Sequence, residues 1–246
     1  MSFDVRAAVA IGPWGDDTAD VDAWIAGGCP VPDDGRSPLD LPMLHGFFES
    51  RFNPLVARAM VGCLDTVSGK DFSSLGVVLS TVLGDTTTAD RASAAVGARR
   101  RPQPVLFYQS VPTSVLGHVS TRYGITGPML CVSGTSDLFE DAMESGELLL
   151  LEPDVTQILF IYVDIATEHR PHELLRLLTG LDGERPAPDY ECCVAVLVGG
   201  RPEDGDLRAA GTAPALPAGV QLPRPLAGFL ALAGAFSEIP AGRPAA

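Results

Sequence analysis

Three short runs that are apolar at nearly every position, residues 75–82 (LGVVLSTV), 155–163 (VTQILFIYV) and 192–198 (CCVAVLV), constrain the fold more than any other feature of the chain. A strand with one wet face alternates apolar and polar residues, whereas a run apolar throughout needs cover on both faces. The expectation is therefore a central, mostly parallel sheet with helices on both faces. The rest of the chain supplies the helices. Residues 5–11 (VRAAVAI) read as a further strand, and 19–25 (ADVDAWI) as a helix stopped by Gly27-Gly28. Residues 29–42 (CPVPDDGRSPLDLP) read as a surface loop.

Pro54 suits the first position of the helix PLVARAMVGCLD, in which Leu55, Ala59 and Cys63 share one face. Residues 89–98 read as a helix broken by Arg99-Arg100-Arg101-Pro102, and 113–123 as a helix ended by Gly124. A short strand over 129–132 and helices over 136–149 and 173–178 follow. Alternating strands and helices predict the α/β class. From Gly199 onward a Pro/Ala/Gly-rich texture suggests an irregular arm leading to an apolar helix over 226–236. Residues 1–200 are thus expected as one domain and 201–246 as an arm with a short helix.

Charge narrows the partners. A formal charge of −14 argues against nucleic acid or an anionic membrane surface, because a field of that sign repels phosphate. The apolar run 226–236 is too short to span a bilayer, and the N-terminus shows no basic segment followed by an apolar core. A cytoplasmic protein is expected. The five cysteines are odd in number and scattered, and read as reduced core residues.

Site signatures are sparse. There is no phosphate-binding loop ending in Lys-Ser/Thr, no GxGxxG and no CxxC, so neither a cofactor nor a metal is expected. His169 and His172 flank Pro171 with no third ligand, which favours a solvated loop over a metal site. The Arg99–Arg101 run reads as a solvated turn, with docking of an acidic partner as the alternative. His118 reads as structural rather than as a base. The stretch LCVSGTSDLFEDA places Ser136 between a strand and a helix, yet Leu138 stands where a hydrolase elbow needs its second glycine. Ser136 and Asp137 are therefore read first as helix-capping residues.

Residues 109–146 carry a resemblance. QSVPTSVLGHVSTRYGITGPMLCVSGTSD is similar to the ketosynthase segment in which a Gly-His helix and a Tyr-Gly-x-x-Gly-Pro turn precede the strand and elbow of the nucleophilic cysteine. Counted from Gly127-Pro128, Ser136 falls on that cysteine. The whole chain resembles the short beta-ketoacyl-synthase-like N-terminal proteins, about residues 3–200 following the first half of a thiolase-like fold. The resemblance implies half of a ketosynthase whose thiol is replaced, and whose second-half histidines are expected to lie beyond the chain.

Such a chain implies no condensation on its own. The first reading is a non-catalytic partner, chain-length-factor-like or scaffolding, in type II polyketide or fatty-acid-type biosynthesis. It would pair with a ketosynthase or with itself through the strand at 130–132, and an acyl carrier protein would be met only indirectly. The second is an acyltransferase or thioesterase with Ser136 as nucleophile and His118 as base, although a serine without a base is a weak nucleophile. The third is an acyl-chain binding module, with Phe107, His118 and Phe139 facing an open cavity near Ser136.

Overall fold

The computed structural model describes residues 4–33, 35–67, 69, 71–101, 103–134, 137–165, 190–199 and 222–234. In chain order these form β1 (Asp4–Ile11), α1 (Ala19–Ala26), α2 (Phe52–Asp65), β2 (Leu75–Thr81), α3 (Thr86–Gly97), α4 (Pro104–Ser110), α5 (Ser114–Tyr123), β3 (Met129–Ser133), α6 (Leu138–Leu150), β4 (Gln157–Asp164), β5 (Cys192–Gly199) and α7 (Arg224–Leu232). The helix expected over 173–178, His169, His172 and Ser136 lie outside the described residues.

The strands form one sheet in the order β1-β5-β4-β2-β3. β2 pairs parallel with both β3 and β4, whereas β5 runs antiparallel to β4 and β1. Four strands thus share one direction and β5 alone is reversed, which makes the sheet mixed in its ladders. The three central strands β2, β4 and β5 are buried at every position, as their unbroken apolar runs require.

Strand pleat divides each run between two cores. Ile158, Phe160 and Tyr162 of β4, with Cys192, Val194 and Val196 of β5, face a core built with α1, α6 and α7. Leu159, Ile161 and Val163, with Cys193, Ala195 and Leu197, face the opposite core built with α2 and α5. Adjacent Cys192 and Cys193 consequently point to opposite sides of the sheet. Gly146 of α6 is what lets that helix approach, because a Cβ there would strike the Phe160 ring.

Local rules place the helix ends. Asp85 caps α3 by accepting from Thr88 N at 3.0 Å and Thr88 Oγ1 at 2.7 Å, so the helix starts three residues ahead of the expected 89. Gly124 closes α5 with φ +68°, a conformation glycine takes without strain. Pro54 sits third in α2 rather than first, where its missing N–H is still one that the helix cannot use. Leu55, Ala59 and Cys63 are all fully buried on one face of that helix.

Three expectations change. Helix α4 was not foreseen, since PVLFYQS is short and shows no clear period. The loop at 29–42 is pinned rather than free. Arg51 Nε and Nη2 bond the Glu191 carboxylate at 2.8 and 2.7 Å, and the same carboxylate accepts from Ser37 N at 2.6 Å. That ties the loop, the start of α2 and the entrance to β5 together, with Glu191 2% exposed. Finally, the cysteines are not all core residues: Cys63, Cys192 and Cys193 are buried, Cys29 is half-buried and Cys131 is exposed, because β3 is an edge strand.

Candidate functional site

In open α/β sheets the chemistry gathers beyond the carboxyl ends of the parallel strands. Here β2, β3 and β4 finish side by side at Thr81, Ser133 and Asp164. Asp164 lies at the centre of this end and is buried. Its carboxylate accepts from Val82 N at 3.0 Å, Thr81 Oγ1 at 3.2 Å and Tyr162 OH at 2.6 Å. Burial nonetheless dominates, and pushes its pKa up to about 6 against those hydrogen bonds.

The turn after β2 is held from two sides. Thr81 Oγ1 accepts from Gly84 N at 2.9 Å, and Ser133 Oγ donates to Val82 O at 3.0 Å. Asp164 thereby fixes the turn to which the last residue of β3 is tied. After Gly134 the chain passes Thr135 and Ser136 and re-enters the described structure at Asp137, the N-cap position of α6. The strand–turn–helix frame expected around Ser136 is thus present on both flanks. Asp137 takes the cap position, but its side chain does not bond the first-turn N–H groups. Glu140 and Asp141 suit the positive end of the helix instead.

None of the cysteines is set up as a nucleophile. Burial raises the pKa of Cys29, Cys63, Cys192 and Cys193, that of Cys63 to about 12, and partial desolvation against the sheet raises that of Cys131 on its exposed edge, so each thiol stays protonated. Around Asp164, burial also pushes Tyr162 and Tyr190 upward. Two hydroxyls, Ser80 Oγ and Tyr190 OH, are buried without a hydrogen-bond partner among the described residues. The cluster is a sealed, hydroxyl-rich layer that fixes the strand ends.

The proposed lining residues do not converge. Phe139 is 5% exposed, edge-on to Phe229 at 5.1 Å between centroids and seated over Gly228, where a Cβ would lie 2.6 Å from its ring. Phe229 in turn stacks on Tyr162 at 5.3 Å. Phe139 therefore fills the core on the α6 side of the sheet. His118 is exposed on α5, across the sheet, with its ring edge-on to Phe47 at 5.8 Å. Phe107 projects from α4 into solvent. The expectation that Phe107, His118 and Phe139 share one cavity is corrected: α6 buries Phe139 in one core and α5 buries Leu116 in the other, so the sheet lies between Phe139 and His118.

Sequence reasoning missed Asp164 and the Arg51–Glu191 pair. A carboxylate closing a fully apolar run, as in FIYVD, was the available signal for Asp164. Among the described residues no three His, Cys, Asp or Glu side chains are grouped to hold a metal ion, and no helix is long and apolar enough to cross a membrane.

No family model and no curated protein matches the sequence. Solved structures do resemble the fold. A ketosynthase in complex with its chain length factor from Xenorhabdus doucetiae superposes with a TM-score of 0.64 and 18% identity, over 81% of this chain and 79% of that one. The ishigamide ketosynthase/chain length factor gives 0.65 and 18%, over 84% and 64%. A beta-ketoacyl synthase from Burkholderia phymatum gives 0.61 and 12%, over 80% and 59%. This chain spans less than two thirds of the last two. On this likeness the chain has a thiolase-like, ketosynthase-type fold.

Proposed function

We propose that this chain is a non-catalytic, chain-length-factor-like partner that pairs with a ketosynthase, or with a second copy of itself, in type II polyketide or fatty-acid-type biosynthesis. The observation that carries the reading is the contrast between the two edges of the sheet. The β1 edge is defended, with charged Asp4 and Arg6 and an irregularity between Val5 and Ala7 that breaks its register. The β3 edge has none of these devices: MLCVS carries no charge, no proline and no bulge, and leaves Leu130 and Cys131 exposed. Such a strand is a template for another chain. The fold supports the same reading, since two of the similar structures pair a ketosynthase with a chain length factor.

On this reading the replaced thiol at Ser136 is not acylated. The neutral hydroxyl of serine needs a base, and His118 stands on α5 with its ring against Phe47. The acyl-binding alternative loses its support because Phe139 fills rather than lines space.

Two measurements test the proposal. Mass spectrometry after incubation with acyl-coenzyme A and acyl-carrier-protein thioesters is expected to show neither a covalent adduct nor released acid. An adduct lost in Ser136→Ala would make the chain an acyltransferase or thioesterase. Sedimentation of the wild type and of Cys131→Lys, with a candidate ketosynthase and alone, is expected to show an assembly that the added edge charge abolishes. An assembly indifferent to Cys131→Lys would refute pairing through β3.

A further inference from the structure

Main-chain geometry fixes what β3 offers to a neighbour. Val77 of β2 stands opposite Met129, and its N–H donates to Pro128 O at 2.9 Å. Along a strand in a parallel ladder, the N–H and C=O of one residue point to one side and those of the next residue to the other. Leu130 and Val132 therefore direct their main-chain groups at β2. Met129, Cys131 and Ser133 turn theirs to the open edge, where no described strand lies.

Side chains follow the pleat. Met129 packs on the core shared with α2 and α5, and Val132 on the core shared with α6, so Cys131 lies on the α2 side of the sheet and Leu130 on the α6 side. Cys131 is exposed and Leu130 is 38% exposed. None of the five residues carries a charge, and the strand runs beside β2 without a bulge. The edge is short, regular and uncharged, and its outward-facing residues sit at its two ends and its centre.

We infer that the occupant of this edge is a second copy of the chain, its β3 antiparallel to the first about a two-fold axis that passes beside Cys131, perpendicular to the sheet. The inference rests on the pairing through β3 proposed above and adds its partner and register. Centred on Cys131, the register sets Cys131 opposite Cys131 and each Met129 opposite Ser133 of the other copy, which makes three pairs that each exchange two main-chain hydrogen bonds. Centred on Leu130 or Val132, only two such pairs form, and a slip of one residue sets outward-facing groups against inward-facing ones. Self-complementarity selects the occupant. The axis keeps each core on its own side, so Leu130 meets Val132 twice on the α6 side, and the residue at the axis meets its own copy, a place for a small uncharged side chain such as cysteine. The two edges close on each other and leave only the defended β1 edges at the ends of a continuous sheet with five strands from each copy.

The register places the two Cys131 Cα atoms about 5.5 Å apart, which a thiol cross-linker can read. Dibromobimane, a reagent that joins thiols held close together, is added to the full chain and the products are separated on a denaturing gel. The wild type is expected to give a dimer band that Cys131→Ser abolishes. Met129→Cys and Ser133→Cys are then each made in the Cys131→Ser chain. Either alone holds its two new thiols about 14 Å apart across the axis, at about 3.4 Å per residue, and should give no dimer band, whereas an equal mixture of the two should give one, because position 129 stands opposite position 133. Circular dichroism verifies that each variant is folded, and sedimentation reports assembly in each sample. Self-association lost in Cys131→Lys, but with no band in the wild type and the mixture or with a band in either single variant, would overturn the register and leave pairing through β3 standing. A chain that stays monomeric yet joins a ketosynthase in an assembly lost in Cys131→Lys would overturn the second copy and assign the edge to that enzyme. Assembly with neither, or assembly indifferent to Cys131→Lys, would refute the β3 reading and this inference with it.

Discussion

Asp164 offers the sharpest test of the strand-end architecture. Its pKa is raised by burial from 3.8 to about 6, so the folded state holds a proton that the unfolded state releases. Between those two values the native state binds more protons, and stability falls as pH rises, levelling off above pH 6. That rise corresponds to about 3 kcal/mol over the whole window. Roughly half of this is open to measurement above the isoelectric point near 4.5, a loss on the order of 1 kcal/mol from pH 5 to pH 7.5. Asp164→Asn removes the titration while its Oδ1 still accepts from Val82 N. Tyr162 OH, which now donates at 2.6 Å, can accept from the new amide. Urea unfolding followed by the fluorescence of Trp14 and Trp24 at several pH values gives the stability of both proteins. The wild-type stability relative to the variant should drop by on the order of 1 kcal/mol across that range. A pH-independent difference would refute a raised pKa.

Other substitutions probe the frame around the strand ends. Arg51→Met leaves the Glu191 carboxylate buried without its cation and should cost about 3–5 kcal/mol in urea unfolding, much of which Glu191→Gln in the same chain should return. Gly146→Ala drives a methyl group into the Phe160 ring and should lower stability by about 1–3 kcal/mol, with relief when Phe160→Leu is added. Asp85→Ala strips the cap from α3 and the partner of Ser50 Oγ at 2.6 Å, for an expected loss of about 1–2 kcal/mol measured by thermal melting.

The sheet was legible because burial on both faces leaves no polar position in β2, β4 or β5 beyond their ends, and few other structures tolerate that pattern. Helix ends were legible where one residue sets the backbone, as Gly124 does, and less so where a side chain must swing in, as Asp85 does for α3. Helix α4 escaped because seven residues hold too few turns to show a period. The reversed direction of β5 left no trace in the sequence, since a fully buried strand reads alike in parallel and antiparallel ladders.

The candidate site was harder for a related reason. Short-range pattern says that Phe139 and His118 face inward or outward on their own helices, but not which side of the sheet each helix takes. Long-range partners such as Arg51 and Glu191, 140 residues apart, leave only a buried acid and an isolated arginine in the sequence. The local pattern set Ser136 between a strand and a helix, and β3 and α6 flank that position; the resemblance added the match of Ser136 to a nucleophilic cysteine. It also directed attention to a vanished nucleophile. The physical weight lies two strands away, in the Asp164 carboxylate of β4 that holds the turn after β2, to which Ser133 is tied through Val82. On the proposed pairing through β3, that strand has to be presented at a fixed height, and the hydrogen bonds from Asp164 to the turn after β2 would supply the rigidity. Loosening the cluster should therefore weaken pairing through β3 without touching the edge itself. In sedimentation, Thr81→Val with Ser133→Ala, which removes the two hydroxyls holding the turn, should raise the dissociation constant of the β3 assembly while leaving secondary structure intact. An unchanged constant would mean that β3 is positioned by its ladder to β2 alone.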